Sequence, residues 1–316
     1  MPPSFVHRIT KYDPADRDEH GHYTGAEDTA SDHGQVEAAY LAAIAAFAVA
    51  SDIDRLEIRE PAVTGFVHFG VEPPVEGHGL GGLFPPDLTG YHDGAEVSLP
   101  VALELVRAML RDQGAWCRLE VGDVFSVHVG WDQYVYVGSD RLCADAVART
   151  RELGLFAEPL TASPYAAEVD EAEVTEPADE DFWTRVRTTL AARKTLLLEE
   201  SYLRNAARWH RLTPENLDTV RAGLGPRALL TLWPDLNPDL GAVLAALPEE
   251  GSVEFVWETH DGMISYAIVD DTEYQDLATQ VADARAACVL PLSLDERHPM
   301  LCAALPDSDG VLRARW

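Results

Sequence analysis

The sequence predicts an α+β fold of two ferredoxin-like βαββαβ modules joined by an acidic linker and a helical segment. Three observations lead there. Short alternating strands come in pairs around turn residues, as at Gly122-Asp123 and Asp261-Gly262. The order strand–helix–strand–strand–helix–strand is readable in both halves of the chain. Between the halves, residues 167–181 carry eight acidic residues in fifteen together with Pro177, the composition of a solvated linker. The expected organisation is a module at 1–166, the linker at 167–181, and a helical segment plus second module at 182–316.

In chain order, residues 4–10 read as a strand and 12–34 as an acidic loop. In the Ala-rich stretch 34–51, Val36, Tyr40, Ile44 and Phe47 fall on one helical face. A strand Arg55–Arg59 follows, then a Gly/Pro-rich loop at 61–94 with aromatic anchors Phe66, Phe69, Phe84 and Tyr91. Glu96–Leu99 is a short strand, and Pro100 opens a helix to Asp112 that Gly114 stops. Trp116–Val121, Val124–Val129 and Tyr134–Val137 alternate as strands. Ser139 is expected to cap a helix over 140–153 that ends at Gly154, before a strand Leu155–Leu160.

Beyond the linker, 182–211 reads as helical, in one piece or two, and Thr213-Pro214-Glu215 starts a helix that Gly223 ends. Ala228–Trp233 is a strand, and Asn237-Pro238 caps a helix to Leu247. Val253–Glu258 and Met263–Val269 form a hairpin. Thr272 and Gln275 form a capping box for a helix to about Cys288. Met300–Leu305 and Val311–Arg315 close the chain as strands.

Composition narrows the function classes. The 316 residues are 47% apolar and 25% charged, which excludes disordered, collagen-like and disulfide-stapled chains. Lys and Arg number 24 against 54 Asp and Glu, a net charge of −30 that repels polyanions over most of a surface. The four cysteines, Cys117, Cys143, Cys288 and Cys302, form no C-x-x-C pair and read as small buried residues in a reducing compartment. The N-terminus lacks an apolar signal core, and the longest apolar run, Ala38–Ala50, is 13 residues. A membrane span needs about 20. A cytoplasmic location is therefore expected.

Four features bear on chemistry. Gly77-His78-Gly79-Leu80-Gly81-Gly82 matches a dinucleotide fingerprint, but Pro73-Pro74 before it and Pro85-Pro86 after it deny it the strand and helix that such a site needs. His20 and His22 lie among Asp13, Asp16, Asp18 and Glu19, weak candidates for a metal site with no third ligand or general base to nominate. Residues 182–227 hold nine basic residues against four acidic, about +5, while the rest of the chain is about −35. Within that segment Arg204, Arg208 and Arg211 recur at i, i+4 and i+7, one face of a helix, with Trp209 nearby. Such a stripe pairs with phosphates, or docks on the protein's own acids. Tyr134 and Tyr136 lie on one face of a strand, where RNA-recognition modules stack bases and ordinary sheets pack rings.

Several segments of the first 165 residues are also familiar as a set: His7-Arg-Ile-Thr-Lys-Tyr-Asp-Pro-Ala-Asp-Arg-Asp, His20-Gly-His-Tyr-Thr-Gly, Gly114-Ala-Trp-Cys-Arg-Leu-Glu-Val and Val129-Gly-Trp-Asp-Gln-Tyr. They resemble an actinobacterial family whose members carry the automatic label "RNA-binding protein". The resemblance implies RNA binding and supplies no catalytic residue or cofactor.

Three functions are therefore expected in order. The first is a non-catalytic cytosolic protein that binds RNA through Arg204, Arg208, Arg211 and Trp209, with Tyr134 and Tyr136 as a sheet platform. The second is an acidic interaction or immunity-type protein that binds a basic partner. The third is a metal-dependent enzyme using His20 and His22.

Overall fold

The structure, a computed structural model, describes residues 3–20, 22–25, 32–63, 79–130, 134–164 and 176–316. It is a mixed α+β protein of two compact units. The first comprises Met1–Val174, Leu203–Ala206 and Arg313–Trp316, and the second comprises Thr175–Tyr202 and Ala207–Leu312. Most of the expected linker, together with Phe66, Phe69, Gly77 and His78, lies outside the described residues.

The first unit is one antiparallel sheet of seven strands with three helices. Its elements are β1 (Phe5–Thr10), α1 (Gln35–Ala50), β2 (Arg55–Val63), β3 (Glu96–Ser98), α2 (Leu99–Leu110), β4 (Ala115–Val121), β5 (Phe125–Val129), β6 (Val135–Ser139), α3 (Ala144–Glu152) and β7 (Phe156–Leu160). The strand order is β3-β2-β4-β5-β6-β1-β7. Helix α1 touches both α2 and α3. Its alanines Ala39, Ala43 and Ala48 are buried with Ile44 and Phe47, so the backbones approach closely. Tyr91 anchors the loop before β3: it is fully buried, lies 5.3 Å from the Phe84 ring, and its hydroxyl donates to the Trp116 carbonyl at 2.7 Å.

The second unit contains α4 (Glu180–Arg193), β8 (Leu196–Leu203), β9 (Ala206–Leu212), α5 (Leu217–Gly223), β10 (Leu229–Pro234), α6 (Leu240–Ala245), β11 (Ser252–Glu258), β12 (Ile264–Asp270), α7 (Tyr274–Gln280), β13 (Ala286–Pro291) and β14 (Leu301–Ala304). Its strands form two sheets, β14-β10-β8-β9 and β12-β11-β13. Phe182, Trp183, Val186 and Leu190 of α4 pack on Leu196, Leu198 and Leu230 of the first sheet. Val243 of α6 and Leu277 of α7 pack on Phe255 and Trp257 of the second. The inner faces meet through Leu197, Trp209 and Trp233 against Val256, Ala286 and Leu290. The layers thus run helix, sheet, sheet, helix.

One unit of topology recurs four times. A helix joins the two strands flanking a central one: β3-α2-β4 around β2, β6-α3-β7 around β1, β9-α5-β10 around β8, and β12-α7-β13 around β11. Each crossover spans two strand spacings, about 10 Å, which a short helix bridges. This is the structural content of the repeated element order. The sheets themselves, of seven, four and three strands, differ from two sheets of four.

The largest correction is at 182–211. Helix α4 ends at Lys194, which adopts φ +76°, and the chain continues as the hairpin β8–β9 with Asn205 at φ +65° in its turn. Leu196–Leu198 are buried on both faces of their strand, so their continuous apolar run carried no period to separate it from a helix. Likewise the helix from Thr272 stops at Gln280 and Cys288 belongs to β13. Residues 311–315 form no strand. Ser139 ends β6, and Cys143 is the N-cap of α3. No helix of the described residues is long and apolar enough to cross a membrane.

Glu37, buried on α1, ties that helix to α2: it accepts from Arg107 Nε at 2.8 Å and from Arg111 Nε at 2.6 Å. Burial works against its ionisation, but the two arginines outweigh burial and hold its pKa below the ordinary value. Its contribution is present above the usual carboxylate range and is lost as pH falls through the lowered pKa. Glu37→Gln is expected to cost about 2–3 kcal/mol at neutral pH in urea denaturation, with the deficit shrinking in acid.

Candidate functional site

The structure separates the residues nominated from sequence. Arg204 sits in the β8–β9 turn and belongs to the first unit, where its N–H donates to the Pro61 carbonyl at 2.9 Å. Arg208 and Arg211 lie on β9, and an odd spacing on a strand puts them on opposite faces. The helical stripe therefore does not exist. Arg208 stacks 4.2 Å over Tyr202 and lies 3.7 Å from Glu200. Arg211 grips Asp235 with two hydrogen bonds, at 2.9 and 2.7 Å, and Glu258 with a third at 2.7 Å. Trp209 is buried between the sheets.

In the first unit Tyr136 is buried beside His128 and has no face open to a base. Tyr134 is more accessible, with the guanidinium groups of Arg8 and Arg17 at 5.4 and 5.2 Å from its ring and Tyr12 at 6.2 Å. Residues 131–133 lie outside the described residues. His20 and His22 are exposed, their ring centres 6.2 Å apart, with Asp18 3.3 Å from His22. No group of three potential metal ligands forms among the described residues.

What sequence reasoning missed is a layer of charge between the two sheets of the second unit. Glu254 and Glu258 are four apart on β11, so both leave the face that carries Phe255 and Trp257 and point toward the other sheet. Each meets an arginine that also grips the facing sheet. Arg211 joins Glu258 to Asp235. Arg297, from the segment before β14, places Nη1 3.1 Å from Glu254 and Nη2 2.9 Å from Glu199 on β8. Trp233 completes the second group: its indole N–H donates to Glu199 at 2.9 Å and its ring lies 5.1 Å below Arg297.

The two groups differ in charge balance, because Glu258 has a second cation, Arg285 Nη1 at 3.7 Å. At Asp235, burial opposes ionisation, yet the hydrogen bonds from Arg211 and Thr195 prevail and lower the pKa. Around Arg297 two buried glutamates share one cation. Burial and the charge of Glu199 push Glu254 up to about 7, against the pull of Arg297. Burial, with the nearby carboxylates, also pushes the Cys288 thiol up to about 12, so it stays protonated. This cluster can bind and release a proton near neutral pH at the joint between two sheets. A second carboxylate, Glu200, is fully buried on the opposite face of β8, where it meets His210 Nε2 at 2.7 Å and accepts from Gly225 N–H at 2.7 Å. It orients a partly exposed imidazole.

The alternation Val253-Glu-Phe-Val-Trp-Glu258 was the available sequence signal for an acidic inner face. Nothing local marked Arg297, which comes from 43 positions further along.

Glu254 is raised above its ordinary 4.5, so its stabilising contribution is complete below that value and is lost as pH rises through about 7. The urea midpoint of the protein is expected to fall between mildly acidic and mildly alkaline pH. Glu254→Gln should remove that slope and stabilise the alkaline form by about 2–3 kcal/mol.

No protein-family model, no curated protein and no solved structure matches the chain, so its functional reading rests on the geometry above.

Proposed function

We propose that the protein is a cytosolic, non-catalytic binding protein whose partner is a basic polypeptide. One observation carries this reading: most basic residues of 182–227, Arg208 and Arg211 included, pair with the protein's own carboxylates. Of the nine in 182–227, six pair with acids: Arg185 with Glu176, Arg187 and Arg221 with Glu180, Arg208 with Glu200, Arg211 with Asp235, and Arg227 with Asp307. Internal pairing consumes scarce cations and leaves the carboxylate surplus to the solvent. A net −30 field then steers a cation-rich partner and repels nucleic acid.

The scaffold suits binding. The order β7-β1-β6-β5, with first and third strands central, supports reading the first unit as a ferredoxin-like module into which β2–β4 is inserted. The second unit reads as a more divergent variant on the same crossover.

An RNA reading keeps one observation on its side. Tyr134, Tyr12 and Arg17 form an aromatic and cationic cluster of the kind that stacks unpaired bases.

Fluorescence anisotropy with a mixed-sequence single-stranded RNA separates the two. The basic-partner reading predicts no binding at physiological salt, and no change for Arg208→Glu. Pull-down from native lysate at low salt should capture a cation-rich protein that high salt releases. RNA binding that survives physiological salt and falls in Arg17→Glu would overturn it in favour of the RNA reading.

A further inference from the structure

The edge of the three-stranded sheet offers a place for that partner. β12 pairs with β11 on one side, and the strand order ends there. The outer side of β13 is closed differently: Asn237 exchanges two backbone hydrogen bonds with Ala287, at 2.8 and 2.9 Å. Every residue of β11 from Val253 to Glu258 is buried, whereas in β12 only Val269 is. Alternate residues of β12 therefore turn their N–H and C=O groups away from the sheet, and no strand among the described residues takes them.

Such edges are usually protected by lysine, proline or a covering element. Here the opposite holds. The 57 residues from Ala228 to Ala284 contain twelve acids and not one Lys or Arg. Glu249, Glu250, Asp270, Asp271 and Glu273 gather at one end of β12, where Gly251 N–H donates to Asp271 and Asp270 N–H to Glu273, both at 3.2 Å. Asp261 stands in the turn at the other end, where the Arg285 guanidinium comes close to Gly262 and Glu258. None of these six has a Lys or Arg partner among the described residues. Between them Met263 is 62% and Ile268 44% exposed, on opposite faces of the sheet.

We propose that an extended, basic segment of the partner adds to β12 as a further strand. Its backbone would satisfy the open ladder, its apolar side chains would cover Ile268 on the face it shares with Ile264 and Tyr266, and its Lys or Arg residues would meet the acids, most densely at the Asp270 end. The same charges disfavour a second copy of this chain, because two acidic edges would face each other. This proposal rests on the basic-partner reading and locates it.

The test uses the full chain and a fluorescent nine-residue peptide alternating arginine with valine. A control peptide of equal charge carries proline at alternate apolar positions. The first should bind, the control should bind at least about tenfold more weakly, and Ile268→Lys should weaken the first by a similar factor. Hydrogen exchange should show protection gained on residues 264–270. Equal binding of both peptides, with no protection gained on β12, overturns the edge site and leaves the basic-partner reading standing. Binding of neither peptide, together with an empty low-salt pull-down, overturns both.

Discussion

The structure depends on arginine held by buried carboxylate. With 24 basic residues against 54 acidic, each internal pair spends a scarce cation, and the pairs stand at joints. Glu37 joins two helices through Arg107 and Arg111. Glu60 meets Arg118 and Arg315 in the first unit. Arg211 and Arg297 clasp the two sheets of the second. A guanidinium suits this work because it stays charged and reaches two carboxylates at once with fixed geometry. Burial makes the pairs demanding: a carboxylate left without its arginine inside the protein is costly, so these joints specify one arrangement. The chain's preference for arginine over lysine, 22 to two, has a structural use as well as a compositional origin.

The same economy sets the exterior. A surface on which many arginines pair with the protein's own acids, under a net charge of −30, presents mostly one sign of charge to its surroundings, and that constraint connects the fold to the proposed partner. The charge layer between the sheets adds a second consequence. Arg211 and Arg285 together match Asp235 and Glu258, while Arg297 alone serves two glutamates in a more enclosed setting, where one proton relieves the excess. The raised pKa of Glu254 leads us to expect that the stability of the second unit falls as pH rises through neutrality, through a carboxylate whose arginine also reaches the facing sheet.

Much of the fold was legible in the sequence, for identifiable reasons. The strands Trp116–Val121 and Val124–Val129 alternate cleanly because one face is apolar and the other carries Arg118, Glu120 and His128. The Asp261-Gly262 hairpin was readable because Gly262 needs φ +88°. The segment 194–212 was not. Leucine, glutamate, alanine and arginine favour helix locally, and only packing between α4 and the second sheet makes Leu196–Leu203 a strand. That one misreading carried the candidate site with it. On a helix Arg204, Arg208 and Arg211 share a face; on a hairpin they occupy a turn and two opposite faces. The Arg297 cluster joins positions 199, 233, 254 and 297, which no local pattern connects.

Salt dependence of stability tests the central claim most directly. If the arginines at the joints are committed to buried pairs and the exterior holds the surplus of acid, added salt screens surface repulsion more than it weakens those pairs. The urea midpoint at neutral pH should then rise as sodium chloride goes from about 20 mM to about 500 mM. A midpoint that falls over that range would mean the pairs are exposed and screened. The arginines would then be free to meet an anionic partner, contradicting the account.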